Sequence, residues 1–275
     1  MDTKTDDGIP WLMVPVNSAA DFVLRQSRRY DICNADPDMV SVQKLGLRRY
    51  RVLGKKTGPT TFLSAVDSSG AHQAFLWVSV KRLLSFRIAF YFLSDSDPAT
   101  KKVIHRAVKR ENSVTLNELV QEVNEILQPQ ANVVFEIAEG HKEDVTLAGD
   151  CGDQVQDNAF SKFYHEMLNP AAHFHVFFVW AYTGAEYYAR TVLIDMDRGL
   201  CLFDDDVPHE LQAHVLAHEA VHYLLERRSY KEDPHDRSLL ADLMYARTGA
   251  YEFEAGERLG RFFADIINPD RHKKL

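Results

Sequence analysis

Six short runs rich in β-branched and aromatic residues crowd the first eighty positions of this 275-residue chain. They are WLMVPV (11–16), DFVLRQ (21–26), MVSVQKL (39–45), RYRVLG (49–54), TFLSAVD (61–67) and AFLWVSV (74–80). Turn-forming clusters separate them: Asp36-Pro37, Thr57-Gly58-Pro59 and Asp67-Ser68-Ser69-Gly70. A run this short buries an apolar face only by pairing with its neighbours, so the spacing predicts a small antiparallel sandwich. The stretch carries no grouping of chemically active side chains. Its basic run RRYRVLGKK reads as a solvated sheet face.

Charge and texture both change near residue 83. Residues 1–83 hold twelve Lys and Arg against eight Asp and Glu, whereas residues 84–275 hold twenty against thirty-two. The formal net charge of −8 argues against a nucleic-acid partner. Beyond the break, LLSFRIAFYFL (83–93) reads as a buried strand. TLNELVQEVNEILQ (115–128) reads as an amphipathic helix, capped by Thr115 with Glu118 and stopped by Pro129. NVVFEI (132–137), FHVFFVW (174–180) and ARTVLIDMD (189–197) follow as strands. A sheet with a later long helix packed on it is expected, an α/β or α+β arrangement. The cysteines Cys33, Cys151 and Cys201 have no metal-type spacing, and three cannot all pair. The longest apolar run, FHVFFVWAY (174–182), is too short to cross a bilayer. The acidic start, MDTKTDDGIPW, lacks an apolar signal core.

The long helix carries the chemistry. Asp206 or a neighbour is expected to cap it, Pro208 suits its first turn, and it is expected to run to about Ser229. Within it stands His218-Glu219-Ala220-Val221-His222. His218 and His222 are one turn apart, so both imidazoles can reach one Zn²⁺. Glu219, rotated by about 100°, lies beside the metal without ligating it and is placed to move a proton. His214 and His222 are two turns apart, too far to share an ion. The plain alternative is a helix with surface histidines.

Two imidazoles leave a third protein ligand to find. Candidates downstream are His235, Asp236, Asp242, Glu252, Glu254 and Glu257. His235 is preferred to Asp236 because imidazole is the commoner zinc ligand. The order of zinc-binding helix, histidine and then Leu243-Met244-Tyr245 resembles the metzincin metalloendopeptidases. That resemblance implies His218, His222 and His235 as ligands, Glu219 as catalytic base and Met244 in a turn beneath the metal. Tyr245 would stabilise an oxyanion or simply pack. The family's glycine and third-ligand positions are Leu225 and Arg228 here, so the segment reads as that motif with a short insertion. A glutamate ligand from 252–257, as in gluzincins, is the alternative. Cys151 could cap zinc in a latent form, though a loop thiol is the simpler account.

NADPDMVSV, VLGKKTGPTTFLSAVDSSG and LWVSV in turn resemble bacterial immunoglobulin-like modules. The two resemblances imply an α+β protein. An immunoglobulin-like sandwich over 1–83 would precede a zincin/metzincin-like zinc metalloprotease over 84–275, with a mixed sheet and an active-site helix. The expected cofactor is Zn²⁺, and the expected partner a protein or peptide substrate. A docking partner for the β module is also expected, but neither nucleic acid nor membrane. A bacterial, exported location is the corresponding expectation. A non-proteolytic deacylase or amidase, or a binding protein with a degenerate site, are the other readings of the pentad.

Overall fold

The computed structural model describes residues 10–25, 30–107, 115–140, 144–147, 167–180, 189–195, 197–231, 259 and 261–269. His235, Asp236, Asp242, Met244, Tyr245, Glu252, Glu254, Glu257 and Cys151 lie outside them. Contacts divide the chain into two compact units. The first gathers residues 1–84, 127–134 and 258–275, and the second 85–126 and 135–257.

The first unit contains two sheets. One runs β1 (Trp11–Pro15), β7 (His72–Lys81), β6 (Thr61–Val66), β3 (Asp31–Asn34), and the other β2 (Ala19–Val23), β5 (Arg49–Gly54), β4 (Val40–Lys44). β5 shows why these residues form strands. Tyr50, Val52 and Gly54 alternate inward while Arg49, Arg51 and Leu53 face solvent, the two-residue period of a half-buried strand. Val14, Met39, Val40, Val52, Leu63, Val78 and Val80 close a shared core. The polar run Asp31–Asn34 was not expected as a strand, yet Ile32 pairs with Ala65 and Cys33 with Ser64. The short helix α3 (Arg261–Ile267) belongs to the same unit. Lys81, wholly buried, donates to Asp265 at 2.8 Å and to the Asn268 carbonyl at 2.7 Å. Asn268 donates in turn to the carbonyls of Arg82 and Ala131.

The second unit is built on β8 (Leu84–Ser96). Its sheet runs β10 (Val133–Ile137), β8, β12 (Phe174–Val179), β14 (Gly199–Asp204), β13 (Ala189–Leu193). β9 (Val103–Arg106) and β11 (Asp144–Leu147) also pair with β8. β12 is parallel to both β8 and β14, and every residue in it is buried. That is why its sequence is continuously apolar rather than alternating. Aromatic pairs lock the register, Tyr91 on Phe177 at 4.3 Å and Phe92 on Phe178 at 4.7 Å between ring centroids. β13 closes one edge by running antiparallel to β14, Thr191 opposite Cys201, and β9 runs antiparallel on β8.

Helix α1 (Leu116–Ala131) begins at the expected box: Thr115 N–H donates to Glu118 Oε2, and Glu118 N–H to Thr115 Oγ1. It does not stop at Pro129. Proline in the last turn forfeits one main-chain bond, and the helix instead ends where Asn132 turns left-handed at φ 52° and donates to the Gln128 carbonyl.

The expected α+β, zincin/metzincin-like fold class is corrected. Among the described residues strand outweighs helix, 46% to 21%, the sheet curls into a half-barrel, and few helices occur. The chain is β-rich. The physical reason lies in short runs that the sequence alone did not mark as strands. VIHR, DVTL and GLCLFD become β9, β11 and β14 because long neighbouring strands offer them a ladder.

Candidate functional site

The pentad lies on helix α2 (His209–Glu226). Pro208 takes the N-cap position itself at φ −52°, and no side chain caps the end, so the expected Asp206 cap is absent. Leu211 N–H donates to the Pro208 carbonyl instead. At the other end Ser229 turns left-handed at φ 60°. Tyr230 N–H then reaches the Leu225 carbonyl at 3.1 Å and Ser229 N–H the Glu226 carbonyl at 2.8 Å. These are the paired bonds of a Schellman ending, made without the usual glycine.

The helix is buried nearly all round, from Gln212 and Ala213 through Leu216, Ala217 and Val221 to Leu225. Beyond the first turn, what stays half-exposed is a row at every fourth residue: His214, His218, His222 and Glu226. One glycine seats the helix on the sheet. A Cβ at Gly199 would lie 2.3 Å from the Tyr223 ring, so only glycine lets β14 pass beneath it. Tyr223 also stacks on Phe174 at 5.1 Å and donates its hydroxyl to the Asp197 carbonyl at 2.9 Å.

His218 and His222 converge, their Nε2 atoms 3.1 Å apart with the rings at 70° to each other. Two nitrogens each about 2.0–2.1 Å from one tetrahedral zinc are separated by about 3.3–3.4 Å, a few tenths of an ångström from the observed 3.1 Å. The pair therefore fits a shared metal ion. His214, one turn earlier, has its pKa lowered by burial.

Glu219 turns away from that row and into the unit. It is 6% exposed, and burial raises its carboxyl from the ordinary range to about 7, opposed by hydrogen bonding from Thr191. Oε2 is buried with no hydrogen-bond partner among the described residues. The Thr191 hydroxyl donates to the Glu219 main-chain carbonyl at 3.2 Å. Beneath lies Cys201, whose thiol is pushed well up by burial first and by the nearby Glu219 second. The two imidazoles thus converge on the half-exposed row, while the Glu219 carboxyl faces the interior of the unit with one oxygen unsatisfied among the described residues.

The sequence did not point to Thr191, Cys201 or Glu226 as neighbours. The first two meet Glu219 through the antiparallel register of β13 on β14, and the only available signal was the short apolar run after Gly199. Glu226 accepts the Leu193 N–H, with its pKa raised chiefly by burial. It lines a pocket of about 610 Å³ together with Leu193, Ile194, His222, Leu225 and Tyr230. His173 and His175 are engaged elsewhere on the sheet. His175 is fully buried in β12 and bonded to the Tyr91 hydroxyl at 3.1 Å, and His173 accepts the Arg87 N–H. Among the described residues, the one group of three metal-capable ligand atoms is Asp204, Asp205 and Asp206, in the turn after β14.

No protein-family model matches the chain, and no curated protein matches it. One solved structure, described as a chaperone-substrate complex, is similar over 96% of this chain at 12% identity, with a TM-score of 0.36. This chain spans 44% of that structure's length. At that score the likeness carries no argument about fold or function.

Proposed function

We propose that the chain is a zinc-dependent hydrolase that cleaves peptide bonds in protein or peptide substrates. The convergence of His218 and His222 at 3.1 Å, with the Glu219 carboxyl on the next residue, is the observation that carries this reading. His218 and His222 would hold the ion by Nε2. The third protein ligand is His235 in this reading, with Asp236 or a glutamate of 252–257 as the alternatives. Zinc held there supplies Lewis-acid activation of water and of the scissile carbonyl. Glu219 accepts the proton of the attacking water and delivers it to the departing amine. Thr191, whose hydroxyl bonds the Glu219 main-chain carbonyl, ties the helix backbone at this residue to the adjoining strand. Peptide is favoured as substrate by β13, the edge of its sheet among the described residues, which offers main-chain groups to an extended chain laid alongside. Met244 and Tyr245 are proposed to support the site, as the resemblance implies.

The test is metal analysis of the purified full chain together with digestion of a denatured protein. About one zinc per chain is expected, with depletion in His218→Ala, His222→Ala and His235→Ala and retention in His214→Ala. A protein that holds no zinc would sink the reading. Full zinc in His235→Ala with loss in a glutamate variant of 252–257 would move the third ligand there. Hydrolysis of small amides or acyl groups without protein cleavage would change the substrate class.

A further inference from the structure

We propose that the β4–β5 hairpin tip of the first unit is a docking surface for an anionic lipid membrane. Three aliphatic side chains stand exposed at one end of the β2-β5-β4 sheet: Val23 at 63%, Leu45 at 38% and Leu47 at 59%. The ladder places them together. Val23 pairs with Arg49 across β2 and β5, and Leu45 N–H donates to the Arg49 carbonyl at 2.8 Å from the other side. Paired residues share a sheet face, so Val23, Arg49 and Leu45 form one outward row with Leu47 beyond it in the turn. The next row inward on that face is Asp21, Arg51 and Gln43.

Cations surround this apolar end. No Asp or Glu occurs between Asp38 and Asp67; of the cations in that stretch Lys44, Arg48, Arg49 and Arg51 lie at or next to the tip, whereas Lys55 and Lys56 follow the far end of β5 beside Met39. Arg49 and Arg51 both clamp Asp21, which holds the two guanidinium groups side by side on the outer face. The turn is also fixed in shape: Gly46 N–H donates to the Arg49 carbonyl and Leu24 N–H to the Arg48 carbonyl. An apolar point with a cationic collar matches a lipid surface, where aliphatic groups enter the acyl boundary and Lys and Arg meet anionic head groups. Nucleic acid would use the cations but gives exposed leucines nothing to enter. The net charge of −8 that led away from a nucleic-acid partner averages over the whole chain, in which residues 1–83 carry +4 and residues 84–275 carry −12. This contact is with a surface, and no helix among the described residues is long and apolar enough to span a membrane.

The experiment sediments the full chain with phosphatidylcholine vesicles, with and without phosphatidylserine, and measures its affinity for a DNA duplex in parallel. Binding to the phosphatidylserine vesicles is expected, with little to phosphatidylcholine alone and release as salt rises. The double variant Leu45→Ser with Leu47→Ser should bind those vesicles about tenfold more weakly or worse. Arg48→Glu should weaken binding as well. Leu47→Trp gives an independent signal, a blue-shifted emission when vesicles are added, should the serine variant fold poorly. No sedimentation with phosphatidylserine overturns the proposal. Binding that the leucine changes leave intact overturns it too, as does tighter binding to the duplex than to the vesicles.

Discussion

His175 shows how one buried side chain couples the core to pH. It sits wholly inside β12, and desolvation lowers its pKa from 6.5 to about 4. Arg198 and His173 act in the same direction, while the Ala172 main chain and Asp195 oppose it. The Tyr91 hydroxyl bonds one ring nitrogen, and Nε2 has no hydrogen-bond partner among the described residues. The folded chain therefore takes up this proton less readily than the unfolded one. The stability it contributes is complete above the unfolded pKa, falls as pH drops from about 6.5 towards 4, and levels off below that. The loss across the window is about 3 kcal/mol. His175→Phe should flatten that part of the urea-midpoint profile. An unchanged acid decline in the variant would show that other groups carry it. At this scale the sequence was readable for the pentad, because a four-residue spacing fixes the helix geometry. The state of His175 was not readable, since burial depends on which strands flank β12.

Between elements, the seat of α2 on β14 depends on a single missing Cβ. Gly199→Ala should cost about 2–4 kcal/mol, because the methyl meets the Tyr223 ring and overpacking cannot relax locally. Tyr223→Leu alone should also destabilise, through lost stacking on Phe174. The two changes together should cost clearly less than their sum, which a double-mutant cycle by chemical denaturation measures. Additive losses would mean the ring does not set the constraint. Element positions were legible where a run was long or capped. The α1 box and the RYRVLG strand fell where their residues placed them, and the pentad's helix formed as expected but without the Asp206 cap and ending at Glu226, short of Ser229. β9, β11 and β14 were missed because four to six residues without alternation look like loops until a partner strand is known. The Schellman ending at Ser229 had no glycine to announce it.

At the scale of the whole molecule, the tail of the chain returns to the unit that holds its beginning. Lys81 and Asp265 are 184 residues apart, and Lys81 is buried where they meet. Asp265→Ala should destabilise the first unit by about 3–5 kcal/mol, because it strands a buried ammonium. Lys81→Met with Asp265→Leu should recover most of that loss, read as a thermal midpoint close to wild type. A double variant as unstable as Asp265→Ala would show that the ion pair itself, rather than relief of buried charge, carries the stability. This return is invisible in the sequence, where neither residue stands in a motif and the charge break near residue 83 points the other way.

In the proposed mechanism Glu219 acts on the proton while the histidines hold the ion. The most direct measurement is zinc content and protein cleavage on the same preparation of Glu219→Gln in the full chain. Near-stoichiometric zinc with hydrolysis lowered by orders of magnitude is the predicted result. Cleavage at the wild-type rate, or loss of the metal along with activity, would contradict it.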